Sequence, residues 1–193
     1  MRTEIRGERI ALRAYEESFI PMLYEAAMEA RRDPEFVRWM PWCHENYTLE
    51  ESRDFVRKTV ANWREPQDAW RDGMQFGYGI FDAPKGKFIG GIGLNRPDIT
   101  HRLFNLGYWI RPSAQKCGAA SAATRLLARA AFEDLPDLNR IEVAASVGNI
   151  PSHKTAEKAG AQREGVLRQR LMIGSKPHDA VMFSFVREDF FKS

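Results

Sequence analysis

Cysteine is scarce in this chain, with only Cys43 and Cys117 among 193 residues. Two thiols make no disulfide framework, and no CxxC or closely spaced histidine pair offers zinc ligands, so no metal is expected. The histidines, His44, His101, His153 and His178, are scattered. Long apolar runs are also missing. None approaches the roughly 18 residues of a membrane-spanning helix, so no membrane partner is expected. Met1-Arg2-Thr3-Glu4-Ile5-Arg6-Gly7 has neither the apolar stretch nor the cleavage site of a secretory signal, and the expected location is cytoplasmic. Nor does one sign of charge dominate. The 29 Lys and Arg are interleaved with 26 Asp and Glu, for a net charge of +3. A nucleic-acid binder normally shows a dense basic stripe with exposed aromatics among it, so nucleic acid is not an expected partner. A local basic pocket for a small polyanion remains compatible with this balance.

What is present reads as one domain over 1–193, long enough for a substantial core. Alternation of Ile10, Leu12 and Ala14 predicts a strand over 9–15. Ser18 is placed to cap a helix over 18–31 whose inner stripe is Phe19, Leu23, Ala26, Ala27 and Ala30. Thr48 and Glu51 form a capping box, starting a helix that turns Phe55, Val56, Val60 and Trp63 inward and stops before Pro66. Strands follow over 75–81 and 88–94, joined by a turn at 83–87, and their paired glycines suggest a bulge or close backbone contact. A strand over 103–110 runs through a short loop into a helix over about 119–134, with Ala123, Leu126, Leu127, Ala130 and Ala131 inward. A strand over 139–145, a short helix from Pro151 to Gly160, and a hairpin of 166–173 and 180–186 across 174–177 complete the chain. The fold class is α/β (α+β): a mixed, mostly antiparallel sheet flanked by helices, with one strand–helix–strand crossover at its centre. The segment Phe36–Cys43, with Trp39 and Trp42, is either a plug over one end of the core or a wall of a pocket.

The most informative stretch is 107–121, GYWIRPSAQKCGAAS. An apolar strand leads through a short basic loop and a lone glycine into an alanine-rich helix. A helix start of this kind leaves backbone N–H groups unpaired and carries partial positive charge, which favours a bound phosphate.

Gln115-x-x-Gly118-x-Ala120 resembles the pyrophosphate loop of the GNAT acyltransferases, which use acetyl-CoA. From Asn105 to Val186 the chain resembles the branch of ribosomal-protein N-terminal alanine and serine acetyltransferases. The pieces fall in order: Leu106-Gly107-Tyr108-Trp109-Ile110, the loop, Asn139-Arg140-Ile141-Glu142, Asn149-x-x-Ser152, Ala156-Glu157-Lys158-Ala159-Gly160, Glu164-Gly165-Val166-Leu167-Arg168 and Asp179-Ala180-Val181. Glu8-Arg9-Ile10-x-Leu12-Arg13 and Trp39-x-Pro41-Trp42 match more loosely. Family members often carry Glu where this chain has Ala122 and Phe where it has Ala161. The Ala122 difference removes a carboxylate expected to shape the acceptor site, and the Ala161 difference concerns packing.

The resemblance implies a GNAT-type fold and transfer of acetyl from acetyl-CoA to a primary amine, with a protein or peptide N-terminus as acceptor. A small-molecule amine, or an acyl-CoA sensor without turnover, are the alternatives. It implies that Trp109, Ile110 and Arg111 at the strand end, the loop Gln115, Lys116, Cys117, Gly118, Ala119, Ala120 and Ser121, and Asn149 and Ser152 hold the cofactor. Arg111, Lys154 and Lys158 either add attraction or are solvated surface charges. Trp39, Trp42 and Tyr108 would face the acceptor, and acceptor choice would reside in the Phe36–Cys43 loop and the 174–177 turn. An N–H of the 106–110 strand, where it splays from the Glu142 strand, would stabilise the oxyanion. Ser152 either passes a proton to the leaving thiolate or caps the helix at Pro151, and Tyr108 is an alternative proton donor or a core aromatic. Glu142 is either the general base or a strand carboxylate paired with Arg140 or Arg168. Dimers are common in the family, and a homodimer is compatible with this chain.

Overall fold

The computed structural model describes residues 1–67 and 70–191. Eight strands make one sheet: β1 (Glu4–Arg6), β2 (Ile10–Ala14), β3 (Phe76–Asp82), β4 (Lys87–Asp98), β5 (Leu103–Ile110), β6 (Arg140–Ser146), β7 (Gln162–Ile173) and β8 (Lys176–Val186). Their spatial order is β1-β2-β3-β4-β5-β6-β8-β7. Helices α1 (Ile20–Ala30), α2 (Pro34–Trp39), α3 (Leu49–Arg64), α4 (Ala119–Asp134) and α5 (Ile150–Ala159) flank it. Neighbouring strands run antiparallel except β5 and β6, which the crossover helix α4 joins in parallel. The expected sheet and its central crossover are both present. Among the described residues no helix is long and apolar enough to cross a membrane.

One face of the sheet carries Tyr78, Leu94, Leu106 and Ile141 against Ala123, Leu127 and Ala131 of α4, all 1% exposed or less. The small alanines let α4 lie close to the strands, so large residues from the sheet fill the space between. The other face carries α1 and α3 over Tyr15, Phe81 and Phe88. Here α3 rests on bare backbone: a Cβ at Gly77 would come within 2.6 Å of Thr59 Cγ2.

Several expectations shift. Ser18 does not cap α1. It lies in a 3-10 turn, Glu17–Phe19, with its Oγ donating to Glu16 Oε1 at 2.5 Å, and Pro21 sits in the first turn of α1 instead. The inner stripe of α3 is Ser52, Val56 and Thr59, while Phe55 is 46% exposed. Hydropathy undervalues the two hydroxyl residues, which satisfy themselves locally: Ser52 Oγ donates to Tyr47 Oη at 3.0 Å and Thr59 Oγ1 to the Phe55 carbonyl at 2.8 Å. Two elements were unanticipated. Strand β1 spans only three residues, too short to show alternation. Helix α2 spans six, although Asp33-Pro34 announced it: Asp33 accepts from the Glu35 and Phe36 N–H groups at 3.0 and 3.3 Å. Both hairpin strands extend farther than expected, leaving Gly174 and Ser175 between them.

Helix α1 is pinned to the end of β5 by one buried cation. The Arg111 side chain, 7% exposed, donates to Glu29 from Nε at 2.7 Å and to Glu25 from Nη2 at 2.8 Å. Glu29 also accepts the Ser113 N–H at 2.7 Å. Burial pushes the Glu29 carboxyl up, but the Ser113 N–H and the Arg111 guanidinium outweigh it and hold it below the usual range. A depressed folded value means the carboxylate stabilises the fold above its unfolded pKa and loses that contribution as pH falls through the folded one. Glu29→Gln is therefore expected to cost about 2 kcal/mol at pH 7, and the gap from wild type to close below the ordinary value of 4.5. Thermal denaturation at several pH values measures this.

Candidate active site

Strands β5 and β6 pair at Leu103–Arg140, Phe104–Ile141 and Asn105–Glu142, and then part. Beyond that point β5 stays on β4 through Ile110, and β6 stays on β8 through Ser146. The edge of β5 from Leu106 onward is left facing a gap, and cavities open on either side of it.

The larger cavity, about 1200 Å³, lies over the face that carries α3. Its floor is nearly free of side chains because Gly77, Gly93 and Gly107 pair in one row across β3, β4 and β5. The next row holds Gly79, Gly91 and Trp109, and on the other flank Asn105 Nδ2 donates to Asn95 Oδ1 at 3.0 Å. The walls are Phe55 and Thr59 of α3, the segment Trp39–Trp42, and Leu171–Ile173 of β7. An irregularity between Leu167 and Leu171, with Gln169 at φ +50° and its N–H bonded to Asp179 Oδ1 at 2.9 Å, precedes this tip of β7. At the wall, His44 Nε2 and Glu51 Oε1 lie 2.8 Å apart. Hydrogen bonds from the Thr48 hydroxyl and N–H hold the Glu51 carboxyl below its usual range, with His44 adding to the effect.

The smaller cavity, about 430 Å³, lies at the start of α4. Gly118 is the N-cap, in left-handed backbone at φ +82°, with no side chain bonded over the helix end. The loop before it is tied to β5 by Gln115, whose Nε2 donates to the Ile110 carbonyl at 3.0 Å. Lys116, Lys154 and Lys158 bring positive charge to the wall, and Asp33 and Glu35 of α2 lie on it as well. Glu35 Oε1 accepts the Trp39 indole N–H at 2.7 Å.

The two cavities share Trp39, Met40, Tyr108, Trp109, Asn149 and Ser152. At this junction Tyr108 Oη donates to the Ser152 carbonyl at 3.0 Å and lies 3.0 Å from Ser152 Oγ. Burial pushes the Tyr108 phenol up to about 12, against the pull of its hydrogen bonds to Ser152 and Thr155, so it remains protonated at any physiological pH. Asn149 caps α5 by accepting the Ser152 N–H at 3.2 Å, which puts the serine hydroxyl beside Tyr108.

The structure gathers Trp39, Tyr108, Trp109, Ile110, Gln115, Lys116, Gly118, Ala119, Ala120, Ser121, Asn149 and Ser152 around the smaller cavity, and Trp42 on the larger. Phe36–Cys43 is both plug and wall: Phe36 and Cys43 are buried, while Trp39 and Trp42 face the cavities. Other expectations need correcting. The Arg111 guanidinium turns away to Glu25 and Glu29. Cys117 is exposed, bonds the Ala114 carbonyl at 3.0 Å and lines neither cavity. Ser152 is not the helix cap; Asn149 is. Of the two readings of Glu142 the ion pair is the one seen: it lies 3.1 Å from Arg140 Nε, with Arg170 rather than Arg168 4.0 Å away, and lines neither cavity. Ala122 is exposed on α4 outside both cavities, and the wall is Leu171–Ile173, not the 174–177 turn. Sequence reasoning missed Tyr15, Thr59 and the Asn95–Asn105 pair. The glycine pairs were the available signal for the floor they border. No group of three or more His, Cys, Asp or Glu side chains suited to a metal occurs among the described residues.

Comparison with known proteins agrees with this fold. A family profile described as "Acetyltransferase (GNAT) domain" matches residues 9–162. YdaF of Bacillus subtilis, provisionally named a ribosomal N-acetyltransferase, is 34% identical over 140 residues, 72% of this chain and 73% of its own. The solved structure of RimL, a ribosomal L7/L12 alpha-N-protein acetyltransferase in complex with coenzyme A, superposes with a TM-score of 0.79 at 21% identity, covering 95% of this chain and 97% of that one. The microcin C7 self-immunity acetyltransferase MccE, in complex with acetyl-CoA and AMP, also gives 0.79 at 21% identity, covering 93% of each.

The two capping roles can be separated. Asn149→Ala is expected to cost about 1 kcal/mol through loss of the α5 cap, and Ser152→Ala clearly less, since its hydroxyl caps nothing. Denaturant unfolding of the two variants measures the difference.

Proposed function

The chain belongs to the GNAT acetyltransferase family, and on that premise we propose that it moves the acetyl group of acetyl-CoA to the primary amine of a protein or peptide N-terminus. Transfer is by direct attack within a ternary complex, and the 193-residue chain acts as one domain. The observation that carries this reading is the junction at Tyr108 and Ser152, where the cavity at α4 meets the glycine-floored cavity. The names of YdaF and RimL support the choice of acceptor. A homodimer and a cytoplasmic location belong to the same reading.

The residues present suit the cofactor. The uncapped start of α4, Gly118 to Ser121, offers backbone N–H groups to a pyrophosphate, and Lys116, Lys154 and Lys158 add positive charge. Asn149 and Ser152 lie where a pantetheine arm would pass from one cavity to the other. Bound acetyl-CoA supplies the activated thioester, and the chain supplies the rest. The free edge of β5 presents backbone N–H donors to the thioester carbonyl oxygen. The Tyr108 hydroxyl, whose one proton goes to the Ser152 carbonyl in the free protein, would turn it to the departing sulfur. With its phenol near 12, it stabilises a thiolate, whose own pKa is about 8.5, rather than surrendering its proton.

On the acceptor side, the wall groups able to take a proton among the described residues are His44 and Glu51, and they are bonded to each other. We assign no proton transfer to Glu142, which Arg140 holds away from the wall. An amine that is already part neutral near pH 8 is therefore favoured, and the proton its nitrogen sheds as the C–N bond forms and the C–S bond breaks would leave to water in the open cavity. An α-amine has a pKa of about 8, and an alkylammonium such as that of lysine about 10.4.

Two outcomes are expected. Acetyl-CoA should bind the wild type in calorimetry, and Gly118→Trp, which puts a bulky side chain at φ +82° in the loop, should abolish binding while thermal unfolding remains cooperative. In a thiol-release assay, ribosomal-protein N-terminal peptides should outperform small alkylamines and polyamines. Their kcat/KM should rise with pH to a plateau above about 8. Absence of acetyl-CoA binding, or preference for polyamines, contradicts the reading.

A further inference from the structure

Tyr15 lies between β2 and α1, only 5% exposed, and its hydroxyl has no hydrogen-bond partner among the described residues. A buried hydroxyl left unpaired is costly, and such a group calls for an explanation. Its ring is fixed edge-on against Phe19 and Phe55, with centroids 6.0 and 5.3 Å away. Burial pushes the phenol far above its ordinary value, with Tyr47 contributing, so it is a protonated donor at any working pH. In β5, Trp109 faces the same side of the sheet and offers an indole N–H, which can only donate.

Gly91 brings these two groups together. It is the cross-strand partner of Trp109, and a Cβ built on it would lie 2.7 Å from Tyr15 Oη and 2.6 Å from Trp109 Nε1. Both heteroatoms are so close to that one point that a single acceptor atom in front of them can reach both. A side chain at residue 91 would push them apart, which accounts for one glycine of the Gly90-Gly91 pair. Tyr15, Gly91 and Trp109 all line the larger cavity, and Gly91 is one strand spacing, about 4.8 Å, from the free edge of β5. Two donors side by side suit an oxygen with lone pairs and no proton of its own.

We propose that Tyr15 Oη and Trp109 Nε1 form a subsite for a carbonyl oxygen adjoining the reactive amine, so that α-amino acyl compounds are selected over simple alkylamines. The inference deepens the reading of the larger cavity as the acceptor side and rests on it. The subsite reads the acyl group beside the amine, not the side chain of the first residue.

The test compares L-alaninamide with isopropylamine, which has a methyl group where the carboxamide was, using wild type, Tyr15→Phe and Gly91→Ala. Tyr15→Phe keeps the ring packing and removes only the hydroxyl; Gly91→Ala crowds both donors. In steady-state acetylation, with KM referred to the neutral fraction of each amine, the wild type is expected to show a KM about tenfold lower for alaninamide, the effect of one hydrogen bond, and in both variants this corrected ratio should fall toward one. Dissociation constants for the same two compounds, measured by ligand-observed NMR on the CoA-loaded protein and likewise referred to the neutral amine, should show the same ratio and the same collapse. A wild type that does not distinguish the two amines overturns the subsite, as does a preference that survives in both variants. Absence of turnover with either amine counts against the acetyl-transfer reading instead, and the binding ratio still decides the subsite.

Discussion

The parting of β5 and β6 is the constraint on which the site depends. Two parallel strands that share three residue pairs are each claimed by a stronger neighbour: β4 holds β5 to its end, and β8 holds β6 along its whole length. A strand edge left unpaired inside a protein is costly unless something bonds to its N–H and C=O groups. Here the edge lies between two cavities, so the groups that the sheet leaves unused become available to a ligand. The crossover through α4 produces this arrangement and also sets the uncapped start of that helix beside the opening.

The two faces of the sheet are built differently. Toward α4, bulky residues such as Tyr78, Phe104 and Leu106 fill the space that the alanines leave, and the packing is dense. Toward α3, the central rows are glycine, so the same strands leave a cavity instead of a core. Space there is kept open by backbone and by fixed aromatics: Trp109 packs edge-on against Trp42 and Phe36, with centroids 5.3 and 6.2 Å away. Arg111, beyond the end of β5, ties α1 into this arrangement through Glu29.

Much of this was legible in the sequence, for identifiable reasons. The strand 103–110 and the helix 119–134 occur where periodicity and the glycine stop place them. The loop between them gave the uncapped start of α4 because its signal is local, a lone glycine before an alanine-rich helix. What sequence could not show was direction. Arg111 reads as one more cation near a phosphate loop, yet its side chain points back to α1 because Glu25 and Glu29, over eighty residues earlier, are there to receive it. Glu142 fits the alternation of a cleft-facing strand, but Arg140, two residues earlier, draws it into an ion pair. Tyr15 carried no sequence signal, since its role depends on a glycine in another strand. The paired glycines stand out as a motif in the sequence, and only the register of three strands turns them into a floor.

The central claim is that the chain holds both substrates at once, one on each side of the β5 edge, and joins them at Tyr108 and Ser152. The most direct test is calorimetric titration with a bisubstrate conjugate, in which the α-nitrogen of an N-terminal peptide is linked through an acetyl bridge to the sulfur of coenzyme A. If the two cavities meet at that junction, the conjugate binds at least a hundredfold more tightly than coenzyme A alone, because the second half binds without a further loss of translational freedom. A conjugate that binds no better than coenzyme A would mean that the larger cavity does not receive the amine, and the account of the site would fail.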